Sequence, residues 1–242
     1  MYKSTFLRTI CAGAITCLVW SAEAQAPQQN VNVKLHLIEG HLPSSHDAHS
    51  RHQAPAVAWL KPVGNRSLPF PGHDRYVLTQ KGRMFTPHIL VVPVGSVVIF
   101  PNADPFFHNV FSLFDGKRFD LGLYEAGSTK EVTFSREGLS YIFCNIHPEM
   151  SAVVISLSTP LYAIATANGD IKLRDVPPGE YELHVWVEGE MQPALDKLTQ
   201  RVHVGSSELD LGEITLPAPQ NPLGKHQNKF GQPYDQSQKP VY

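Results

Sequence analysis

The sequence has little cysteine and no excess of positive charge. Only three of its 242 residues are cysteine, and 20 Lys and Arg side chains stand against 22 Asp and Glu, a formal net charge of -2. Nucleic-acid binding is not favoured, because no basic excess is present to neutralise phosphates. No apolar run approaches the roughly 18 residues that a membrane-spanning helix needs. The odd number of cysteines excludes a complete set of internal disulfides, so at least one thiol has another use.

The N-terminus carries the three-part pattern of a secretory signal peptide. Two basic residues precede an apolar run over residues 10–20, and small residues follow at Ala22 and Ala24. The run itself is too short to span a bilayer. We therefore predict that residues 1–24 are a signal peptide cleaved near Ala24, and that the mature chain is periplasmic or secreted.

Removal of the signal peptide changes the cysteine count. Cys11 and Cys17 would be lost with it, and Cys144 would be the single cysteine of the exported chain. Oxidising compartments normally favour paired cysteines. A lone thiol there is either a small buried apolar residue or a metal ligand, and its sequence neighbours decide between the two.

The composition is that of a folded, turn-rich protein. Hydrophobic residues make up 42% of the chain and charged residues 17%, which excludes a wholly disordered chain, and the 17 Gly and 20 Pro indicate many turns. Short apolar or alternating stretches recur between turn signals, and none has a helical period. The strands predicted in the first part of the chain are 31–38, 56–60, 76–80, 87–92, 96–100, 107–112, 129–134, 139–143 and 150–157. In the first of these, one face is formed by Val31, Val33, Leu35 and Leu37. The pattern predicts an all-β sandwich or barrel.

A second series of strands follows Pro160. These strands are predicted at 161–166, 170–174, 180–188, 200–204 and 208–215, enough for a small β-sandwich. Asn168-Gly169 between two of them predicts a hairpin. The division that follows is a first domain over 25–159 and a second over 160–216. Residues 217–242 are rich in Pro and Gln and poor in apolar residues, which predicts a disordered tail.

One short stretch contains three of the candidate metal ligands. Cys144, His147 and Met150 follow a predicted strand with the spacing Cys-x2-His-x2-Met, and His108 enters another strand upstream. One thiolate, two imidazoles and a thioether are the ligand set of a blue-copper site. The tight loop can return His147 and Met150 to the ion that Cys144 binds, and His108 must come from an adjacent strand. Zinc is conceivable for these ligands, but a thioether selects copper.

Several catalytic alternatives fail on spacing. A dinuclear copper centre needs two cysteines in one loop, and only Cys144 remains. Multicopper oxidases flank their cysteine with histidines, whereas Phe143 and Asn145 are the neighbours here. No nucleophile–base pair, phosphate loop or paired acid motif stands out. We therefore expect a protein that is not an enzyme.

These motifs resemble those of two known families. The Cys-x2-His-x2-Met loop, with Pro148 after the histidine, is most similar to amicyanin among the cupredoxins, and residues 85–102 and 119–134 are similar to the cupredoxin strands that lead to the ligands. Residues 161–215 resemble the carboxypeptidase regulatory-like, or transthyretin-like, domain. The resemblance implies a Greek-key cupredoxin β-sandwich followed by a small transthyretin-like β-sandwich, a pairing similar to that of exported plastocyanin-like proteins.

The cupredoxin resemblance also implies a role for each site residue. His108, Cys144 and His147 would bind one type 1 copper ion in a plane, and Met150 would be the weak axial ligand. Asn109 would tie the two ligand loops together and donate its backbone N–H to the thiolate sulfur, a contact that holds the geometry.

Such a site suits one-electron transfer between redox proteins in the periplasm. The resemblance places the docking surface at the exposed edge of His147 with Pro148, ringed by Phe106 and Phe107. Weak electron-transfer contacts are small. For the two phenylalanines, burial in the core is the alternative. For the whole protein, the alternative is a copper-holding or assembly protein of the cell envelope.

A second histidine cluster lies in the polar loop 40–55. Four histidines fall within 12 residues there, which could bind a further copper or zinc ion. They are His41, His46, His49 and His52.

Overall fold

The computed structural model describes residues 30–39, 54–64, 66–70, 75–113, 116–216 and 227–234. These residues form an almost entirely β structure, as the sequence predicts. The strands are β1 (Val31–Glu39), β2 (Ala56–Pro62), β3 (Arg75–Val77), β4 (Thr79–Gln80), β5 (Phe85–Thr86), β6 (Ile89–Pro93), β7 (Ser96–Pro101), β8 (His108–Ser112), β9 (Phe119–Tyr124), β10 (Thr129–Phe134), β11 (Gly138–Phe143), β12 (Ser151–Leu157), β13 (Tyr162–Ile164), β14 (Asp170–Val176), β15 (Gly179–Val187), β16 (Gln200–Val204) and β17 (Leu209–Leu216). A one-turn helix α1 (Gln192–Leu195) and a 3-10 turn (Asp196–Leu198) follow β15.

The first sandwich is formed by strands β3 to β12. A five-stranded sheet of order β6-β12-β11-β8-β9 faces a three-stranded sheet of order β10-β7-β3, and β4 pairs with β5 beside them. Alternation in β7 explains the packing, since Val98 and Phe100 point inward while their neighbours are partly exposed. They pack with Phe134 of β10 and with Ile142 and Val154 of the facing sheet.

The second sandwich includes strands from the N-terminal end of the described chain. Its sheets have the orders β14-β1-β17 and β13-β2-β15-β16. The predicted inward face of β1 is confirmed, because all four of its alternating apolar side chains are buried. The predicted boundary of the first domain at residue 25 is wrong, because β1 and β2 pair with strands of residues 160–216. Their apolar side chains pack in the core of that sandwich and are not part of the core cluster of the first.

The predicted hairpin at Asn168-Gly169 is also wrong in its pairing. A turn is present, with Gly169 at a φ of 89° and its N–H donated to the Thr166 carbonyl at 2.9 Å. However, β13 joins the sheet of β2, and β14 pairs with β1 in the facing sheet. The turn therefore carries the chain from one layer to the other.

The two sandwiches pack against each other through β12. Ala152 and Val154 on one face of β12 belong to the first core, whereas Val153 and Ile155 on the other face pack with the second. Three side-chain pairs also join the sandwiches: Trp186 Nε1 donates to Tyr141 Oη at 3.1 Å, Lys61 Nζ lies 2.7 Å from Glu137 Oε2, and His88 Nε2 lies 2.7 Å from Glu188 Oε1.

The remaining predictions concern strand β9, the histidine loop and the two ends of the chain. Strand β9 was not among the strands predicted from alternation, although residues 119–134 are part of the cupredoxin resemblance. The signal peptide, the histidines of 40–53 and most of the predicted tail lie outside the described residues. Residues 227–234 of that tail are described and form defined hydrogen bonds, which differs from the predicted disorder. In the part of the chain that the structure describes, no helix has the length and apolarity to cross a membrane.

Candidate metal centre

The ligand residues meet at one end of the first sandwich. His108 is the first residue of β8, and Cys144 follows the last residue of β11. These strands are neighbours in the five-stranded sheet, with Phe111 opposite Phe143. The loop after Cys144 is closed by two backbone hydrogen bonds, Met150 N to the His147 carbonyl at 3.0 Å and Cys144 N to the Met150 carbonyl at 3.4 Å.

Three donor atoms converge in the interior. Nδ1 of His108 lies 3.1 Å from Nδ1 of His147, and Cys144 Sγ lies 3.8 Å and 3.6 Å from these two nitrogens. All three residues are buried, and their ligand atoms lie within 4.8 Å of one another. The structure thus brings together the three residues for which the sequence predicts in-plane binding.

This donor set fits a single metal ion. Two atoms that bind the same ion are separated by less than the sum of their two metal–ligand bond lengths, each about 2.0–2.3 Å. All three separations between the donor atoms meet this condition. A thiolate with two imidazoles suits copper or zinc. Met150, the predicted fourth ligand, is fully buried and packs in the same core cluster as Cys144.

The surroundings of Cys144 act on its thiol in opposite directions. Burial raises the pKa of the Cys144 thiol, while hydrogen bonds from the backbone N–H groups of Asn109, Ile146 and His147 lower it. These three N–H groups would stabilise a thiolate once a cation is bound. Burial also lowers the pKa of His147, with a further contribution from His108, so that neutral imidazole, the form that binds metals, is favoured.

Asn109 has only part of its predicted role. Its backbone N–H donates to Cys144, as expected. Its side chain, however, donates to Asp120 Oδ1 at 2.7 Å and makes no bond to the second ligand loop. The link to that loop runs through Asp120 to Lys229, whose Nζ lies 2.8 Å from Asp120 Oδ2 and whose backbone N–H donates to Asn145 Oδ1 at 3.0 Å.

Asp104 supports the first histidine and was not predicted. Its Oδ2 accepts from His108 Nε2 at 2.8 Å, which leaves Nδ1 of His108 as the ligand atom. Burial opposes ionisation of Asp104, but hydrogen bonds from Arg83, His108 and Gly82 outweigh it and lower the pKa. A carboxylate behind a ligating histidine fixes the orientation of the ring. The Asp-x3-His spacing was the signal available in the sequence.

The C-terminal segment 227–234 lies against the ligand loop. Tyr234 Oη donates to the Cys144 carbonyl at 2.8 Å, and burial raises the pKa of this phenol. The loop that carries three of the four predicted ligands is therefore contacted by the side chain of Tyr234 and by the backbone N–H of Lys229. Composition alone gave no sign of this packing, because it depends on two residues in a polar stretch.

The surface above the centre differs from the prediction in one respect. His147 was expected to present an exposed edge, but it is only 2% exposed. The ring of Phe106 lies 5.7 Å from the His147 ring and 5.2 Å from the His108 ring, and so helps to cover them. Phe107, at 55% exposure, and Pro148 are the exposed members of the predicted surface.

Comparisons with known proteins give similarities to solved structures over part of the chain. No family model matches the sequence, and no curated protein matches it. Among solved structures, the chain is similar to a purple cupredoxin from Nitrosopumilus maritimus, with 24% identity over 35% of this chain and 100% of that one and a TM-score of 0.31. An oxidized amicyanin variant has 21% identity over 35% of this chain and 83% of that one, with a TM-score of 0.33. A copper-containing nitrite reductase from Thermus scotoductus SA-01 has 20% identity over 51% of this chain and 28% of that one, with a TM-score of 0.33. The resemblance of residues 161–215 to carboxypeptidase regulatory-like domains stays a prediction.

Proposed function

We propose that this protein is an exported type 1 copper protein that passes single electrons between redox partners in the periplasm, and that it is not an enzyme. The observation that carries the proposal is the buried group of His108, Cys144 and His147, with Met150 in the same loop and core. Copper bound there would supply a one-electron change between Cu(I) and Cu(II).

The residues around the ligands favour such a change with little rearrangement. Asp104 holds the ring of His108. Three backbone N–H groups hold the sulfur of Cys144, and burial excludes water from the donors. A site fixed in this way keeps one geometry through both valence states, which suits rapid electron transfer. The thioether of Met150 favours copper over zinc.

We place the docking surface for the redox partner around Phe107 and Pro148. Both are exposed, Phe107 directly before His108 in the chain and Pro148 directly after His147. Met84 adds a further exposed apolar side chain in the loop of Arg83, whose guanidinium lies over the Phe106 ring at 5.5 Å. A small apolar patch matches the size of transient electron-transfer contacts.

The test is the absorption spectrum of copper-loaded protein. We expect an intense visible band from the Cys144 thiolate, lost in Cys144→Ser and His108→Ala but kept in His203→Ala, which changes an exposed histidine of β16. Potentiometry should then show a reversible one-electron couple. A copper-loaded wild type without the band would contradict the type 1 assignment.

One observation favours the copper-holding alternative. His147 is buried, and Tyr234 and Lys229 bond to the ligand loop, so protein atoms cover the centre as a copper-holding function would favour. Electron self-exchange separates the two functions. A carrier exchanges rapidly as the full chain, whereas a holding protein exchanges slowly and gains speed when the chain ends at residue 226.

A further inference from the structure

A cleft separate from the metal centre lies where the two sandwiches meet. It has a volume of about 840 Å³, within the range of small-molecule sites. Its walls come from β11 and β12 of the first sandwich and from β2, β15 and the turn after β15 of the second. Leu139 and Tyr141 form part of one wall, and Trp59, His184 and Glu190 form part of the other.

Glu190 brings an unsatisfied acceptor to this cleft. The residue is only 8% exposed, and its Oε2 has no hydrogen-bond partner among the described residues. Burial raises the pKa of Glu190. A buried carboxyl oxygen without a donor is costly, and such groups in native proteins call for an explanation. A ligand that donates an N–H to Oε2 would supply the missing bond.

Aromatic side chains line the same cleft as this carboxyl group. The Trp59 indole stacks on the His184 ring, with centroids 5.3 Å apart and planes 12° from parallel. His184 Nδ1 faces Thr199 Oγ1 at 3.4 Å, while its Nε2 is buried without a hydrogen bond and lies 3.8 Å from Glu182 Oε2. The cleft thus combines a flat aromatic wall with two polar atoms that the described residues leave unsatisfied.

The charges around the cleft favour a cation over an anion. Lys61 is paired with Glu137 at 2.7 Å, and Arg136 donates to the Gly116 carbonyl at 3.1 Å. The two basic side chains of the lining therefore already have acceptors, whereas no basic side chain among the described residues pairs with Glu190. An aromatic ring also attracts a cation placed over its face.

We propose that this cleft binds a small aromatic amine in its protonated form, with the ammonium group donating to Glu190 and the ring packing against Trp59. Binding at the cleft needs none of the ligand residues of the metal centre. The proposal is therefore independent of the copper function and can be tested whatever the valence of the metal.

Calorimetric titration of the full chain with three matched probes tests the proposal. Phenethylamine, 2-phenylethanol and phenylacetate share a ring and differ in the charge of the end group. We expect phenethylamine to bind roughly tenfold or more tightly than the alcohol, as a charge-assisted hydrogen bond implies, and phenylacetate to bind most weakly. Absence of saturable binding by phenethylamine, or equal binding of phenylacetate, would overturn the proposal.

Substitutions identify the cleft as the site. Glu190→Gln keeps the shape of the side chain and should remove the roughly tenfold preference for the amine over the alcohol. Trp59→Ala should weaken the binding of both phenethylamine and 2-phenylethanol. Glu213→Gln, which changes an exposed acid of β17, should alter neither affinity. If Glu190→Gln has the melting temperature of the wild type and still prefers the amine over the alcohol to the same degree, the role of Glu190 is refuted.

Discussion

The two sandwiches differ in what they bury. Among the described residues, ten buried polar or charged residues lie in the first sandwich and its loops: Gln80, Ser96, Asn102, Asp104, His108, Asn109, Ser112, Ser140, His147 and Ser156. The strands and turns of the second sandwich contribute only Glu190, and the connection contributes Thr159. Since polar groups are costly to bury, their concentration in one of two similar β-sandwiches marks the part of the molecule that has a chemical task.

Two of these buried side chains, Asn102 and Gln80, support the segments next to His108. Asn102 donates to the Phe106 carbonyl at 2.8 Å and accepts from Asp104 N at 3.1 Å, which holds the loop that leads to His108. Gln80 bonds Tyr124, whose hydroxyl donates to the Phe100 carbonyl at 3.1 Å. The second sandwich is held by apolar packing over a large core, and its one buried charged residue, Glu190, lies at the cleft between the sandwiches.

The largest expected effect is a loss of stability in the second sandwich that leaves the metal centre of the first unchanged. Leu35 in β1 is 3% exposed in the second core, and Leu35→Ala should lower the free energy of unfolding by about 2–5 kcal/mol through lost contacts and a cavity. Urea unfolding measures the loss. The absorption band of the copper-loaded protein should be unchanged, because no site residue lies in that core.

Leu123→Ala is the control for this truncation. Leu123 lies in β9 of the first sandwich at 60% exposure, so its loss should change the unfolding free energy by less than about 0.5 kcal/mol. A change of the band in Leu35→Ala would show that the two sandwiches do not act separately.

A smaller effect, on copper affinity, is expected when the aspartate is substituted in one of two matched histidine–aspartate pairs. Asp104 lies 2.8 Å from His108 in the buried centre, and Asp170 lies 2.9 Å from His36 on the exposed face of the second sandwich. Asp104→Asn should weaken copper binding by about 10–100-fold, because the charged acceptor that orients His108 is lost. Competition with a chelator measures this affinity. Asp170→Asn should leave it unchanged, and an equal loss in both variants would argue against orientation by Asp104.

The difference between local patterns and long-range contacts explains which features the sequence could predict. The alternation of β1 and β15 and the Cys144-x2-His147-x2-Met150 spacing are local patterns, so both the strands and the ligand loop could be read from nearby residues. The partners of β1 and β2 could not, because pairing with β14, β15 and β17 joins residues more than 100 positions apart. The contact of Tyr234 with Cys144 spans 90 positions in a polar stretch and was missed for the same reason.

The smallest expected effect concerns the contact between the sandwiches. His88 of the first lies 2.7 Å from Glu188 of the second, and the hydrogen bond from Glu188 raises the pKa of His88 above its ordinary value of 6.5, although burial opposes the shift. A raised histidine pKa stabilises the fold fully below pH 6.5, and this contribution is lost as the pH rises through the folded-state pKa. Because His88 is partly exposed, solvent screening limits the contribution to a few tenths of a kcal/mol. Urea unfolding over a pH series should therefore show a shallower decline in His88→Gln than in the wild type. Parallel curves for His88→Gln and the wild type would mean that the two sandwiches are joined by apolar packing at β12 and not by this ion pair.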